Sequence, residues 1–381
     1  MKRFKSEKGS VATFVIVTVL FFVAILSSLY MIVATLRKGQ LKSQLSVKST
    51  YERDLNRVNE IIENMEPSDD LPSNDETKPY LPEGFTKDKD TDLDNGLVIE
   101  DEYGNQYVWI EVPRKAEVYT TAGLDITVFS TAELNSIKTD LIEYAKDYRQ
   151  TNYDDNWYDG CGIADEATYT EKYNKMLKSV YQNGGFWIGR YEIGIDEDTA
   201  RSFYLEDSAE EHSIAGQTPV IKKNKIPYNW IRCSQAESLA ETFAPRGHTS
   251  SLMFGLQWDL VCKHLETKGT NPGESADSLQ DAIKTNSEDW GNHYGTSFKV
   301  TNTDAKYSED DGATWNAVST NGYQKEGNGI VLFTTGADTR NSMLNIYDLA
   351  GNLWEWTLEK SSNSNGLGTG RGGYYEFERS S

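Results

Sequence analysis

The chain has 381 residues, enough for two or three domains, and a formal net charge of −21. So acidic a protein repels phosphate backbones, which argues against nucleic-acid binding through a basic surface. Three cysteines without a CxxC motif and four histidines without an HExxH motif argue against a zinc ribbon, a thioredoxin-type site and a His-rich metalloenzyme.

An uncharged segment near the N-terminus predicts a membrane helix. Val11–Thr35 contains no charge, proline or glycine, and as a helix it would span ~37 Å, longer than a ~30 Å hydrocarbon core. We assign 1–10 to a basic cytoplasmic leader and 11–36 to a transmembrane helix. A cleaved secretory signal is the alternative, but no Ala-x-Ala site follows the segment. The prediction is a single-pass cell-membrane protein with most of the chain extracytoplasmic.

In the leader, basic residues and then Lys8, Gly9 and Ser10 precede the apolar segment that begins at Val11. This arrangement resembles the N-terminus of a type IV pilin-like protein. In that family a dedicated peptidase cuts after the glycine and the helix packs into a filament, which implies processing between Gly9 and Ser10. Most members carry a Glu five residues after the cut, whereas this chain has Phe14. A plain signal-anchor is therefore the alternative.

Residues 37–65 predict a helical stalk. Apolar residues recur at steps of four and three from Tyr51 to Met65, which resembles a short heptad pattern. This stripe would pack on the chain's own globular part or on neighbouring stalks, giving a pilus-like or stalk oligomer.

Residues 66–95 predict a disordered linker, because they contain four prolines, many acidic residues and almost no apolar periodicity. Within them, the segment from Asp90 to Asp101 partly matches a calcium-binding loop. Asn95 stands where that loop needs a glycine, so a solvated acidic linker is the better interpretation.

The rest of the chain predicts an α+β fold. Residues 97–112 predict a hairpin with its turn at Gly104–Asn105, and 184–193 predict a strand. Ser234 and Glu237 have the spacing of a capping box. Residues 267–302 are polar and Gly-rich and predict a long loop. Apolar spacing predicts helices over four ranges: 131–148, 167–180, 235–243 and 251–265.

Five segments of this body occur in one order: YVWI at 107–110, GFWIGRYE at 185–192, the stretch 252–259, YDLAGNLWEW at 347–356 and RGG at 371–373. Together they resemble the formylglycine-generating enzyme family, also called the sulfatase-modifying factor domain. The resemblance covers about residues 97–381, and its most specific part is the Gly-Asn-x-Trp-Glu-Trp run that ends at Trp356. It implies an irregular, loop-rich, C-type-lectin-like fold.

Large side chains and glycines are expected to hold the irregular backbone in place. Trp354 and Trp356 would share one face of a strand, and Glu355 would point the other way, towards a backbone amide or a cation. The predicted structural residues are Trp187, Trp258, Trp354, Trp356, Gly372 and Gly373.

The resemblance also implies where metals would bind. Enzymatic members hold copper with two cysteines near the C-terminus, but Phe377 aligns with the first of these, so copper is not expected and oxidase activity looks lost. Another branch binds iron through histidines, and no close His/His/Glu set is present. Two of the three cysteines could form a disulfide, or all three could be buried small side chains. The cysteines are Cys161, Cys233 and Cys262.

A structural calcium ion is the metal that the resemblance supports. The matching positions are Asp348, Gly351, Leu353 and Glu355, with carboxylate oxygens from the two acids and carbonyl oxygens from the other two. The alternative is that Glu355 accepts hydrogen bonds from backbone N–H groups.

These patterns predict a membrane-anchored, pilin-like surface protein that displays a non-catalytic lectin-like domain for a protein or glycan ligand. The alternative is a formylglycine-generating-type oxidase or related metal enzyme whose ligands lie beyond Ser381. A third hypothesis is that the protein is a minor structural subunit of a pilus. Only eight residues follow Gly373, so we expect the domain to be C-terminally incomplete.

Overall fold

A computed structural model describes residues 71–201, 213–362 and 368–376, all of which belong to a compact unit spanning Glu66–Ser381. The leader, transmembrane and stalk predictions for 1–65 lie outside these residues. Within the described ranges, no helix combines the length and the apolar character needed to cross a membrane.

The described chain is an α+β fold, as predicted, with five α-helices, a single 3-10 turn and many short strands. The helices are α1 (Thr131–Tyr144), α2 (Glu166–Asn183), α3 (Cys233–Glu241), α4 (Gly255–Lys268) and α5 (Leu279–Lys284), and the 3-10 turn is Thr339–Asn341. The strands are β1 (Thr86–Lys87), β2 (Val98–Glu100), β3 (Gln106–Glu111), β4 (Tyr153–Asp154), β5 (Gly185–Gly189), β6 (Gly194–Ile195), β7 (Pro219–Val220), β8 (Ile226–Pro227), β9 (Phe298–Val300), β10 (Lys306–Ser308), β11 (Asn316–Ala317), β12 (Tyr323–Lys325), β13 (Leu332–Phe333), β14 (Ser342–Met343), β15 (Ile346–Tyr347), β16 (Glu355–Ser361) and β17 (Gly368–Arg371).

These strands form small sheets in which every recorded strand pair is antiparallel. The largest has the order β1-β2-β3-β5 and contains the predicted hairpin, with Val98 opposite Val108. The second that matters for the site has the order β17-β16-β4, so β16 lies between a late strand and an early one. The others are β7-β6-β8, β11-β10-β13, β12-β9 and β14-β15.

The four predicted helices are present, although their ends differ from the prediction. The cap of α1 is Ser130, whose hydroxyl accepts from the N–H of Ala132. The capping box predicted for α3 is wrong, because that helix begins after Arg232. Glu237 is instead buried, where it accepts from the Lys172 ammonium and the Leu252 N–H, both at 2.8 Å.

The main core lies where α1, α2 and α4 pack against one another and against β3 and β5. Ile137, Leu177, Val180 and Val261 are almost completely buried in it, and Ile110 contributes from the sheet. Apolar residues at helical spacing thus form one contiguous interior, as amphipathic helices require.

The disordered linker predicted over 66–95 is wrong for residues 71–95. Leu71 is buried, and β1 pairs with β2. The hydroxyl of Thr77 donates to the Gly184 carbonyl and accepts from the Trp109 indole, both at 2.9 Å. A few separated apolar side chains from this segment cover the sheet, and such isolated contacts leave no periodicity in the sequence.

The long loop predicted over 267–302 is also wrong, since α5 and β9 lie within it. Ile283 on α5 and the nearby Trp290 are each 1% exposed. The Trp290 indole donates to the Ala282 carbonyl at 2.9 Å, so one large side chain anchors a segment that is otherwise polar.

Candidate functional site

The loop between β15 and β16 has an unusual backbone. Asp348, Gly351 and Asn352 have φ angles of +59°, +78° and +60°. The left-handed region favours glycine, so the other two residues need local bonds to hold them there. The Asp348 carboxylate accepts from the Gly336 N–H at 2.6 Å, and the Gly351 N–H donates to the Gly372 carbonyl at 2.6 Å.

Asn352 holds this loop from the inside. Its side-chain amide donates to the Glu192 carboxylate at 2.7 Å, and its side-chain oxygen accepts from the Phe333 N–H at 3.1 Å. Its backbone N–H donates to the Asn292 carbonyl at 2.9 Å. Because Asn352 is 1% exposed, these bonds form in a low-dielectric interior and fix the loop to three distant segments.

Three carboxylates gather around this loop: Glu192, Asp348 and Glu355, which we call the loop acid cluster. Burial raises the pKa of Asp348 to about 7. Burial, followed by the charge of Asp348, raises the pKa of Glu355 to about 8. Burial and then the other two acids hold the pKa of Glu192 well above its usual range.

The loop acid cluster has little compensating positive charge. No ion pair between described residues involves any of its three members, and Lys223, an exposed side chain, acts on Asp348 only through its charge. Glu192 accepts from Asn352 and from the Leu353 N–H at 3.1 Å. The structure records no donor to Glu355 among the residues it describes. A bound cation would relieve the mutual repulsion of these groups.

The predicted calcium ligands are only partly brought together. Asp348 and Glu355 interact through their charges, and Glu192, which sequence analysis missed, joins them. The backbone amide at Leu353 binds Glu192 rather than Glu355. In the parts of the chain that the structure describes, no group of three or more His, Cys, Asp and Glu side chains has the spacing of a metal site. Calcium therefore stays a prediction.

Beneath β16 lies a second group of charges, which we call the buried ion network. It consists of Arg149, Asp155, Asp259, Glu359 and Arg371. The Arg371 guanidinium donates two bonds of 2.8 Å to Glu359, and Arg149 lies 3.2 Å from both aspartates. Paired, bidentate contacts of this kind hold β16 against β17 and against the neighbouring helix.

The network also positions α4. The Asp155 carboxylate accepts from the N–H groups of Gly255 and Leu256 at 2.6 and 3.1 Å, which satisfies donors that the first helical turn leaves free. A Cβ atom at Gly255 would lie 2.1 Å from Glu359, so this position has no room for a side chain. Sequence analysis missed Asp155, because the helix N–H groups that it binds are about a hundred residues away.

All the predicted structural residues except Trp354 pack or form hydrogen bonds within the fold or have a left-handed backbone. Trp258 is 2% exposed, and a Cβ atom at Gly372 (φ +91°) would lie 2.8 Å from the Leu349 carbonyl. The indoles of Trp187 and Trp356 donate to the carbonyls of Tyr80 and Ile231. Gly373 also has a left-handed φ of +87°.

Trp354 differs from this set, since it is 55% exposed. The expectation that Trp354 and Trp356 share one face of a strand is wrong, because β16 begins only at Glu355. The left-handed Asn352 turns the chain just before the strand. Trp354 therefore lies at the surface while Trp356 packs inward.

Trp354 belongs to a surface that combines aromatic and acidic groups. Its ring stacks on Tyr374 with 5.0 Å between centroids and 24° between planes. The Tyr374 hydroxyl donates to that of Tyr375 at 3.2 Å, which donates to Asp311 at 2.9 Å. Glu376 lies beside Asp311, whose charge adds to burial in raising the Glu376 pKa. We call Trp354, Tyr374, Asp311 and Glu376 the aromatic–acid surface.

The three cysteines are free and buried. Burial raises the pKa of Cys233 to about 11 and that of Cys262 to about 12, which disfavours the thiolate that copper needs. The Tyr158 hydroxyl lies 3.2 Å from the Cys233 sulfur. These are the properties of small core side chains. Phe377, the residue aligned with the first copper cysteine, lies outside the described residues.

Comparison with known proteins gave no relative. No protein-family model, no curated protein and no solved structure matches this chain. The resemblances to pilin-like proteins and to the sulfatase-modifying factor family therefore stay predictions.

Proposed function

We propose that this chain is a membrane-anchored surface protein whose body is a non-catalytic, lectin-like binding domain on the extracytoplasmic side. The observation that carries the proposal is Trp354, a tryptophan left 55% exposed at the end of a tightly bonded loop. Exposed tryptophans on rigid supports are common centres of binding energy. Its ligand would be a protein or a glycan.

The support beneath Trp354 favours a binding role. Asn352, two residues earlier, is fixed by hydrogen bonds to three segments, and Glu359, four residues into β16, is paired with Arg371. A contact residue that is already ordered loses less conformational entropy when a ligand binds.

The first test compares ligand binding by the full chain in detergent micelles with binding by its Trp354→Ala variant on glycan and protein arrays. The matched control is Tyr103→Ala, because Tyr103 is 72% exposed on the turn between β2 and β3. We expect a ligand that Trp354→Ala loses and Tyr103→Ala keeps. Equal binding by both variants would remove the basis of the proposal.

The membrane part of the proposal rests on the uncharged segment 11–36 and the basic residues before it. We expect the chain in the membrane fraction, with its body open to protease added outside the cell. N-terminal mass analysis decides between processing after Gly9, as in pilin-like proteins, and an intact signal-anchor. Recovery of the full chain in the soluble fraction would contradict the anchor.

Calcium is part of the same proposal, as a structural ion rather than a reactant. Asp348 and Glu355 would supply carboxylate oxygens, and Gly351 and Leu353 would supply carbonyl oxygens. The proposal is supported by three neighbouring carboxylates, two buried and one half-buried, that lack a paired cation among the described residues. Glu192, already bonded to Asn352, would lie beside the ion.

Thermal unfolding with and without calcium tests this point. We expect calcium to raise the midpoint of the wild-type chain and to have little effect on Glu355→Gln. Asp90→Asn is the control, since it alters the other segment that resembles a calcium loop. If Asp90→Asn alone loses the response, the ion binds there instead.

The enzymatic alternative has a direct test. Copper content and oxygen consumption on a Cys-containing peptide should both be negligible for the purified chain. Copper-dependent turnover would replace the binding proposal with an oxidase.

A further inference from the structure

The aromatic–acid surface contains two carboxylates, those of Asp311 and Glu376, and both are half-buried. The Tyr374 hydroxyl donates to Tyr375, and the Tyr375 hydroxyl donates to Asp311, so both hydroxyl protons are used within the surface. Its acceptors are therefore the carboxylate oxygens, and the indole N–H of Trp354 is a donor. Carboxylates accept hydrogen bonds and donate none when ionised.

The two acids lack a basic partner among the described residues. No ion pair recorded there includes Asp311 or Glu376. Burial, then a side-chain hydrogen bond to Asp311 and the charge of Asp311, raise the pKa of Glu376, so the two acids are close together and a cation would favour their ionised forms. The charges of Glu376 and Asp311 also act on Tyr374. Two like charges held side by side attract a positive group from outside.

Trp354 supplies the second half of such a site. An indole face is the best aromatic partner for a cation, and the ring is 55% exposed while it stacks on Tyr374. Tyr374 joins the ring to the acids, because it contacts both Trp354 and Tyr375. An aromatic face and carboxylates thus lie on one continuous surface.

We propose that the aromatic–acid surface binds the cationic side chain of a partner protein, a lysine or an arginine in a basic peptide segment. This rests on the proposed binding function and names its ligand class. An ammonium or guanidinium group donates hydrogen bonds to carboxylates and also binds the face of an indole, so a lysine or an arginine can use both halves of the surface. A saccharide hydroxyl carries no charge, so it would leave the two acids without a counter-ion.

The net charge of the chain favours the same occupant. At −21 overall, the protein attracts basic segments over several ångströms and repels acidic ones. Association should therefore weaken as salt is added, because exposed charges are screened beyond about 8 Å at physiological ionic strength.

The experiment uses the full chain in detergent micelles and three probes: a tetra-arginine peptide, its tetra-citrulline counterpart and cellohexaose. Citrulline keeps the shape of arginine and lacks its charge. We expect the arginine peptide alone to bind, and Trp354→Ala and Asp311→Asn each to weaken it about 3- to 30-fold. Glu102→Gln, which removes an exposed acid from the β2–β3 turn, is the control and should leave binding unchanged.

Three results would overturn the inference. Equal affinity for the citrulline peptide removes the role of charge, and equal loss in Glu102→Gln makes the attraction non-specific. Binding of cellohexaose that depends on Trp354, with no arginine-peptide binding, keeps the binding function and assigns it to a saccharide. If no array ligand depends on Trp354 either, the proposed function fails together with this inference.

Discussion

Two groups of three carboxylates each include one residue of β16, Glu355 in one and Glu359 in the other, and they differ in their positive charge. In the buried ion network, two guanidinium groups face Asp155, Asp259 and Glu359 at 2.8 to 3.5 Å. In the loop acid cluster, Glu192, Asp348 and Glu355 form no ion pair within the described chain. The first group contains its own counter-ions, whereas the second would need one from solution.

The comparison separates structural charge from functional charge. A buried carboxylate with a bidentate partner is strongly tied to the fold, and losing either partner leaves an unpaired charge. Burial raises the pKa of Asp259 in the paired network to about 7, as it does that of Asp348, so the pKa alone does not separate the two groups. The missing counter-ion separates them, and perturbed carboxylates without one are candidates for functional sites.

Removing Glu359 should have the largest effect. Glu359→Ala leaves Arg371 buried without its bidentate partner, with only the 3.5 Å contact to Asp259, and should lower the free energy of unfolding by about 3–5 kcal/mol in urea denaturation. Glu143→Ala is the control, because Glu143 pairs with Lys146 at an exposed helix surface and should change stability by less than about 0.5 kcal/mol. Similar losses in both variants would mean that the network is not structurally important.

Adding an atom within the buried ion network should lower the free energy of unfolding by less than removing Glu359. Gly255→Ala introduces a Cβ atom at a point 2.1 Å from Glu359, so it should lower the unfolding free energy by about 1–3 kcal/mol through displacement of that side chain. Gly370→Ala is the matched control, because the nearest atom there is the Cβ of exposed Trp354 at 3.2 Å. A neutral Gly255→Ala would show that Glu359 can move freely.

The loop acid cluster should make the protein less stable as pH rises. Its carboxyl groups have higher pKa values when folded than when unfolded, so between about pH 4 and 8 the folded state binds more protons. The stabilising contribution of these groups is therefore complete below their pKa values in the unfolded chain. It is lost as pH rises through their pKa values in the folded protein. With a chelator present, we expect the unfolding free energy at pH 8 to be about 1–2 kcal/mol below that at pH 5.

The pH series has its own control in calcium. If calcium binds the ionised cluster, added calcium should flatten the slope of unfolding free energy against pH. Lys223 and Asp338 also act on Asp348 through their charges, and they should leave the sign of that slope unchanged. A slope of the opposite sign would show that these carboxyl groups are ionised in the folded protein.

The smallest effect should come from neutralising one member of the cluster. Glu355→Gln removes a charge that has no recorded donor among the described residues, and without calcium it should raise the unfolding free energy by about 1 kcal/mol at pH 8. Glu359→Gln, in the paired network, should lower it. Two changes of the same sign would erase the distinction between the groups.

Local patterns predicted the local structure well. The hairpin over 97–112 and all four predicted helices follow from alternation and helical spacing, which are properties of neighbouring residues. The segment 71–95 was misread because its contacts with Trp109 and Gly184 are single and distant. Prolines and acidic residues characterise its composition. Composition alone does not reveal that a single threonine, Thr77, is buried and hydrogen-bonded.

The site was predictable only where a motif marked it. Asp348 and Glu355 were identified because they lie within one short run, seven residues apart. Glu192 comes from a segment about 160 residues earlier and joins them only through the bonds of Asn352 and Leu353. Asp311 likewise meets Tyr375 across 64 residues of sequence. Such pairs depend on tertiary folding, so a single sequence does not reveal them.

The packing of residues 71–95 has a mechanical consequence. A pulling force that enters from the N-terminal side reaches the sheet through this segment and its two-residue strand β1, at the edge of the order β1-β2-β3-β5. An edge strand this short separates one hydrogen bond at a time rather than shearing all at once. Tension would thus peel away Thr77 and β1 before it strained β16, and the Trp354 surface would stay intact while residues 71–95 extended.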